Sequence, residues 1–186
     1  MQIQPVEPVL AVESMQHGLG VEGRFDGYLS LHVKLGKVLE GLKKPAIVEI
    51  ANSQKCKRVI IGGEDPFGFK HLMPLIDLFL NLGFFCIVET PGTLNPVLYN
   101  HFIRIIPSKE SKPAYSVHKN TWPMANEFIY RVGDDFDFSL LDRHEIKVGD
   151  KTTYSLTALS GNSYRACLQY AKEHPKWKLN QAATSI

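Results

Sequence analysis

Residues 59–93 read VIIGGEDPFGFKHLMPLIDLFLNLGFFCIVETPGT, and this stretch decides the predicted fold. Its apolar run at 59–61 is typical of a strand that is buried on both faces. Apolar residues then recur every three or four positions from 72 to 80, which predicts a helix with one apolar face that ends near Gly83. A second apolar run follows at 84–88. This strand–helix–strand order is long enough for a parallel crossover.

Both strands of this unit end in glycine and a carboxylate. Parallel sheets place their ligand sites at the carboxyl ends of the strands. We therefore expect a binding site at this edge of the sheet. Its candidate ligand-binding residues are Gly62, Gly63, Glu64, Glu89, Thr90 and Thr93.

The composition is that of one globular domain. The chain has 186 residues, 44% of them hydrophobic and 22% charged, which is enough to form a core without disulfide bonds or structural metal ions. Its 21 basic and 19 acidic residues give a net charge of +2, which does not indicate nucleic-acid binding. No apolar stretch is long enough to span a membrane, and the N-terminus has no signal-peptide pattern. We expect a cytoplasmic protein.

The three cysteines, Cys56, Cys86 and Cys167, are far apart in the sequence. Neither a disulfide framework nor a metal site is indicated, because iron–sulfur clusters take their thiolates from closely spaced cysteines. Cys86 and Cys167 are interpreted as small core residues.

Two segments of the central unit carry a resemblance to a known family. Residues 62–66, GGEDP, and residues 88–93, VETPGT, resemble the GGEP and VETNGT segments of radical S-adenosylmethionine enzymes, in particular the 7-carboxy-7-deazaguanine synthases of the queuosine and deazapurine pathway. A lone GGE segment would be weak evidence. Two such segments at this spacing, each at a predicted strand end, are more specific.

Weaker similarities extend the resemblance over nearly the whole chain. Residues 14–24 resemble the family's opening SIQGEG…GR loop, which lines the pterin pocket; this implies ligand contacts for Gln16 and Arg24. Arg24 is equally well interpreted as a solvated loop residue. Ser108 and Lys109 resemble a strand end that faces the cofactor.

The resemblance gives each acidic residue two interpretations. Glu64 either pairs with a ligand ammonium group, as the family's glutamate does, or caps a helix N-terminus, where a carboxylate is favourable by about 0.3–1 kcal/mol. Glu89 either binds the N–H donors of a purine or pterin, or pairs with a cation such as Lys109, because an unpaired carboxylate is costly to bury.

One departure from the family decides the expected chemistry. The strand that delivers the first cluster cysteine in the family reads VKLGK here, with Lys37 at the cysteine position and no Cys-x3-Cys-x2-Cys loop after it. The segment 37–58 is about half as long as its counterpart. Without thiolates there is no cluster to chelate and cleave S-adenosylmethionine. We expect no iron–sulfur cluster, no metal, and at most weak residual binding of S-adenosylmethionine.

The expected fold is α/β: a truncated partial (βα) barrel of the radical S-adenosylmethionine type, with a largely parallel sheet and flanking helices. A single domain covers 1–186, with an arm or first edge strand at 1–13 and the shortened segment 37–58, read as two short helical pieces, in place of the cluster loop. The remaining predictions are strands at 29–35, 102–106 and 125–132, a short helix at 94–99, a hairpin around 149–151, and a helix at 163–174.

Three functional hypotheses follow. The first is a non-radical synthase-like protein that binds or regulates a macromolecular partner; since deazapurine genes travel in bacterial viruses, a host protein is one such partner. The second is an enzyme with non-redox chemistry on a purine, a pterin or S-adenosylmethionine, with Glu64, Glu89 and Lys109 as acid–base candidates. The third is a small-molecule sensor. A protein partner is expected first, a small purine or pterin ligand second, and homodimer formation stays open.

Overall fold

The computed structural model describes residues 10–20, 22–36, 41–97, 101–145 and 151–180. Eight strands form one sheet in the order of the chain. They are β1 (Val12–Leu19), β2 (Leu29–Leu35), β3 (Arg58–Gly63), β4 (Phe85–Thr90), β5 (Phe102–Ile105), β6 (Glu127–Val132), β7 (Thr153–Ala158) and β8 (Trp177–Asn180).

In the described part of the chain four α-helices lie between the strands, together with three short 3₁₀ turns. The helices are α1 (Lys44–Ser53), α2 (Leu72–Asn81), α3 (Ser139–Glu145) and α4 (Gly161–Glu173). The 3₁₀ turns are Gly23–Phe25, Pro66–Gly68 and Trp122–Met124. None of the helices in the described part of the chain is long and apolar enough to cross a membrane.

All neighbouring strands are parallel except β1, which pairs antiparallel with β2. The predicted α/β fold with a largely parallel sheet is confirmed. Within the described residues the sheet is open, with β1 and β8 as its two edges, rather than a closed barrel.

The alternation of side chains along the strands gives the sheet two different faces. On the helix face, alternate apolar residues of the strands form one core with the apolar sides of the helices; Val59, Val88 and Leu156 are fully buried there. On the other face, called the polar face below, the alternate positions include His32, Glu89, Arg104, Glu127 and Arg131. Any functional site on the sheet must be built from this second set.

The central strand–helix–strand unit is as predicted: β3, α2 and β4 form a parallel crossover. Gly83 follows α2 with a φ of +76°, in the left-handed region that favours glycine. Gly63 closes β3 with a φ of +118°, and a Cβ there would lie 2.1 Å from the Leu35 carbonyl oxygen. The glycine pair therefore lets β2 and β3 approach closely at their carboxyl ends.

Several local predictions are wrong. Residues 14–19, expected to form a loop, belong to the edge strand β1. The hairpin around 149–151 is not formed, because both edges of β7 are taken by parallel neighbours and His144 lies in α3. In the described part of the segment 37–58, residues 41–58, there is one helix, α1, rather than two pieces. Residues 94–97 are not helical.

Parts of these predictions lie outside the described residues: 1–9 of the arm, 37–40, 98–100 of the expected short helix and 146–150 of the hairpin.

Candidate functional site

A cavity of about 550 Å³ opens on the polar face where β1, β2, β3 and β4 meet. Its walls are mostly polar. The lining residues are Glu13, Ser14, Gln16, His32, Val33, Lys34, Ile60, Gly62, Gly63 and Glu89. The cavity lies at the carboxyl ends of β2 and β3, which is the part of a parallel sheet where ligands bind.

The cavity brings together four of the residues named from the sequence: Gln16, Gly62, Gly63 and Glu89. Gln16 comes from the antiparallel edge strand and is exposed. The two glycines end β3, and Glu89 is the last polar-face residue of β4. Because the two glycines have no side chains, a ligand in the cavity can reach their peptide groups next to the Glu89 carboxylate.

Thr90 and Thr93, also named from the sequence, do not line this cavity; both donate hydrogen bonds to Asp65 at the carboxyl ends of β3 and β4. The Asp65 carboxylate accepts hydrogen bonds from the Thr90 hydroxyl (2.6 Å) and from the Thr93 hydroxyl (2.8 Å) and amide (3.0 Å). It also accepts from the amides of Phe67 (3.3 Å) and Leu94 (3.0 Å). Both threonines are thus engaged with the protein itself, and Asp65 fixes the end of β3 to the end of β4.

The other named residues lie elsewhere. Glu64 lines a second cavity of about 420 Å³ with Lys70 and His71, and the N-cap of the Pro66–Gly68 turn is Asp65 rather than Glu64. Ser108 and Lys109 line a third cavity of about 350 Å³ at the ends of β5 and β6.

Lys109 does not pair with Glu89. It forms an exposed ion pair with Asp135, whose hydrogen bond raises the pKa of the lysine. The partner of Glu89 is instead Arg104 on the neighbouring strand, at 3.3 Å.

Arg104 lies between two carboxylates on the polar face. Its Nε donates to Glu127 at 2.9 Å, and its Nη1 donates to Glu89. The side chains of Arg104 and Glu127 are 3% and 1% exposed, whereas that of Glu89 is 30% exposed. The buried guanidinium is thus paired with two carboxylates, as buried charges require, while its Nη2 has no hydrogen-bond partner among the described residues. Glu89 is the member of this row that reaches the cavity.

Residues 22–25 cover the polar face beside this row. The main-chain N–H of Arg24 donates to Glu127, over a separation of 103 residues. Glu22, which is buried, accepts from the Arg131 guanidinium at 2.9 and 3.0 Å. The Arg24 side chain is exposed. Arg24 therefore contacts this row through its main chain, and its expected ligand contact stays a prediction.

His32 is the histidine of the cavity. Burial lowers its pKa, and Arg104 lowers it further, while Glu89 and the main chain of Gly18 oppose the shift. Its Nε2 is shielded from solvent and has no hydrogen-bond partner among the described residues. A neutral imidazole beside a carboxylate can accept or relay a proton, or bind a ligand donor.

Reasoning from the sequence missed Asp65, His32, Arg104 and Glu127. A signal existed for His32 and Arg104: each is a polar residue flanked by apolar residues within a predicted strand, in LHV and IRI respectively, whereas Glu127 follows Asn126. Burying such a residue costs free energy unless its side chain faces a binding site or a hydrogen-bonding partner. Asp65 gave no such signal, because the resemblance matches the residue before it.

The cysteines do not fit an iron–sulfur cluster. All three are in the described part of the chain, and all are buried in the core on the helix face. Burial raises the pKa of Cys86 to about 12 and that of Cys167 to about 11, so the thiolate form that binds metal is disfavoured. Within the described residues no three His, Cys, Asp or Glu side chains are grouped as metal ligands would be.

The fold matches that of a solved structure. The crystal structure of QueE from Escherichia coli superposes on this chain with a TM-score of 0.78, covering 91% of this chain and 92% of that one. The chain has the fold of QueE. The sequence identity is 20%, so this likeness shows the fold alone.

QueE is a 7-carboxy-7-deazaguanine synthase, so the resemblance seen in the sequence is confirmed at the level of the fold. No protein-family model and no curated protein matches the sequence.

Proposed function

We propose that this protein is a cluster-free relative of the 7-carboxy-7-deazaguanine synthases that acts by binding, as a binding or regulatory protein for a macromolecular partner. The observation that carries the proposal is the placement of the thiols. Cys56, Cys86 and Cys167 are packed in the helix-face core, and Lys37 occupies the position of the first cluster cysteine. The QueE fold is kept while the ligands that its family uses for radical chemistry are missing.

The first experiment tests the loss of radical chemistry. The purified chain is treated anaerobically with ferrous iron and sulfide, desalted, and assayed for iron and for visible absorbance. We expect no stoichiometric iron, and the same background as in a Cys56→Ser, Cys86→Ala, Cys167→Ala variant. Stoichiometric iron that disappears in this variant would overturn the proposal.

The second experiment tests the binding role. The tagged chain is used to capture partners from lysate, and each candidate is then purified and mixed with the chain at known ratios. We expect one macromolecule to form a complex of fixed stoichiometry on a sizing column with light scattering. Failure of every candidate to form such a complex, together with turnover of a small molecule, would contradict a regulatory role.

The 550 Å³ cavity favours a second candidate function, the binding of a small polar molecule. Its volume falls in the range of small-molecule sites, and its groups are convergent and polar. Glu89 and the neutral His32 would supply an acceptor and a proton relay there. Glu64 and Lys109, the other acid–base residues named from the sequence, line different cavities, so they are not part of this candidate site.

Calorimetry with S-adenosylmethionine, carboxytetrahydropterin and guanine analogues distinguishes the two functions. If the cavity binds one of them, Gln16→Ala should weaken the binding, because Gln16 lines the cavity. Gln169→Ala, an exposed change on α4, is the matched control. Binding without product formation would favour a sensor. Product formation without an added oxidant or reductant would favour a non-redox enzyme.

A further inference from the structure

The two oxygens of the Glu89 carboxylate have different surroundings. Oε2 accepts a hydrogen bond from the Nη1 of Arg104 at 3.3 Å. Oε1 lies on the side of Gly62, since a Cβ built on that glycine would be 3.9 Å from it. No other residue in the described part of the chain donates to this carboxylate. Gly62 and Glu89 both line the 550 Å³ cavity, so the free oxygen is the one turned toward the cavity.

The charges of the row that contains Glu89 do not balance. Two guanidinium groups, those of Arg104 and Arg131, face three carboxylates, those of Glu22, Glu89 and Glu127. Glu22 and Glu127 each lie 2.9 Å from their cation, whereas Glu89 lies 3.3 Å from its cation. Glu89 is also the most exposed of the three carboxylates. The uncompensated negative charge of the row is therefore on the cavity side.

The cation that lines the cavity does not neutralise Glu89. Lys34 is the only lysine or arginine among the described residues of the cavity wall, and Gly62 is its neighbour in the register of β2 and β3. Its Nζ pairs with Glu13 on the edge strand, at 2.8 Å. This ion pair leaves the space over Gly62 open between Lys34 and Glu89.

Two further basic groups also leave that charge in place. His32 is neutral at pH 7, because burial, and to a smaller degree Arg104, lower its pKa against the opposing effect of Glu89. Arg58 begins β3, four residues before Gly62. At roughly 3.3 Å per residue this is about 13 Å, which exceeds the Debye length of about 8 Å at physiological ionic strength. The cavity therefore offers a ligand one carboxylate oxygen with one negative charge.

A single free oxygen favours an ammonium group over a paired N–H edge. An amidinium, a guanidinium or the edge of a purine or pterin donates two parallel N–H bonds, which need both oxygens of a carboxylate. Arg104 already occupies Oε2 of Glu89. A primary ammonium is a compact charge with three donors, one of which is sufficient for Oε1. Ser14 and Gln16, which line the same cavity, offer side-chain oxygens for the others.

We propose that the cavity binds a small molecule that carries a primary ammonium group, with Oε1 of Glu89 as its counter-ion. The carbon part of the molecule would lie over Ile60, a buried apolar residue of the cavity wall. This inference rests on the second candidate function, the binding of a small polar molecule, and gives it a ligand class. It is independent of the macromolecular partner.

Four probes built on one benzene ring test the ligand class. Benzylamine carries a primary ammonium, benzamidine a cation with paired N–H donors, benzyl alcohol a neutral hydroxyl, and benzoate an anion. Titration of the ¹⁵N-labelled chain at pH 7.5 by nuclear magnetic resonance gives each Kd, and the amide signals of Gly62 and Gly63 report binding in the cavity.

We expect benzylamine to bind most tightly, by about tenfold over benzyl alcohol and benzoate, because a hydrogen bond to a charged group is lost with each of them. Benzamidine should bind more weakly than benzylamine, since only one of its two donors finds a free oxygen. Benzamidine as tight as benzylamine, benzoate as the tightest probe, or no binding of benzylamine would overturn the proposal.

Two substitutions then locate the ammonium group. Glu89→Gln removes the charge but keeps an acceptor for Arg104, and should weaken benzylamine binding by about tenfold. Gly62→Ala places a methyl group 3.6 Å from the Cβ of Glu89, an ordinary contact, and fills the space beside Oε1. It should weaken binding as well. The matched controls are the exposed Glu49→Gln on α1 and Gly161→Ala on α4, where an added Cβ meets no atom within 4 Å.

The controls should change the affinity by less than twofold, and equal effects of site and control changes would overturn the proposal. The amide spectrum of each variant shows whether it is folded. The comparison of the four probes uses the unchanged chain, so it tests the ligand class even if a variant does not fold.

Failure of the ligand class can be distinguished from failure of the small-molecule function. Binding of a guanine analogue or of carboxytetrahydropterin without binding of benzylamine would overturn the ammonium class and leave the small-molecule function standing. If neither these compounds nor benzylamine bind, both are overturned. Neither result bears on the iron reconstitution or on the capture of a macromolecular partner.

Discussion

The two halves of the polar face use their charged residues in different ways. In the sealed half, formed by Arg104, Glu127 and Arg131 under residues 22–25, the charges are paired: Arg104 and Glu127 are buried together, and the half-exposed Arg131 pairs with the buried Glu22. In the open half, the cavity of β1–β4, His32 has an unmatched ring nitrogen and Gln16 is exposed. Charges that are already paired stabilise the sheet, whereas polar groups that face a cavity remain available to a ligand.

Glu89 lies on the boundary between the two halves. It accepts from Arg104 in the sealed half and lines the cavity of the open half. A ligand in the open half therefore contacts a carboxylate whose position is set by the sealed half. Breaking the sealed half should unfold the protein, and changes in the open half should alter binding and pH response with smaller losses of stability.

The largest effect is expected in the sealed half, from Arg104→Met. It leaves Glu127 buried without its cation, and removing one partner of a buried ion pair costs about 3–5 kcal/mol. Urea unfolding followed by fluorescence measures the loss. The double variant Arg104→Met, Glu127→Leu should recover much of it, because the fully buried carboxylate is gone and Glu89, which also loses its cation, is 30% exposed. A double variant as unstable as the single one would show that these charges are not coupled.

The next effect tests a rim formed by the carboxyl ends of β3 and β4, where Asp65 accepts hydrogen bonds from Thr90 and Thr93. Asp65→Ala removes the acceptor for the hydroxyls and amides of the β4 end, and unsatisfied donors cost about 1–3 kcal/mol. We expect a loss of about 2–3 kcal/mol in the free energy of unfolding. Asp77→Ala, an exposed change on α2, is the control and should stay within about 0.5 kcal/mol. If the two variants lose the same stability, Asp65 does not organise the rim.

A smaller effect is expected from Glu22→Gln, in the segment 22–25 that covers the polar face. Glu22 is 9% exposed but its partner Arg131 is 48% exposed, so the pair is partly screened by water. The loss should be about 1 kcal/mol and should shrink at high salt. Glu13→Gln breaks the more exposed pair with Lys34, at 39% and 58% exposure, and should cost less. A larger loss for Glu13→Gln would reverse the assignment of open and sealed halves.

The open half was the more predictable from the sequence. Gly62, Gly63 and Glu89 follow apolar runs, and the parallel crossover rule brings two such strand ends to one edge. The local sequence pattern therefore predicted at which edge of the sheet the cavity lies. It gave the wrong structure for residues 14–19, because an edge strand with many polar residues has the composition of a loop.

The sealed half could not be derived in this way. Its contacts join Glu22 to Arg131 and Arg24 to Glu127, across 109 and 103 residues. Nothing in the local sequence of 22–25 says which strands it covers. The failed hairpin has the same cause: its Gly-Asp turn signal is local, whereas the pairing of β7 with β6 and β8 is decided by the whole sheet.

The last prediction concerns the pH response of the open half. Because burial lowers the pKa of His32, the unfolded state binds more protons than the folded state as the pH falls below 6.5, the ordinary pKa of a histidine side chain. The contribution of His32 to stability is therefore complete above that pH and is lost as the pH falls. Unfolding free energies measured from pH 7.5 to pH 5 should decline less steeply in His32→Asn, with His17→Asn on the neighbouring strand as the control.

Nuclear magnetic resonance of the imidazole gives the direct reading of this shift. A titration midpoint of His32 below 6.5 is expected, and a midpoint at or above 6.5 would contradict it. An anionic ligand in the cavity should move the midpoint upward, since a nearby negative charge favours the imidazolium form. The same titration, repeated with each candidate ligand, therefore tests whether the cavity that contains His32 is where that ligand binds.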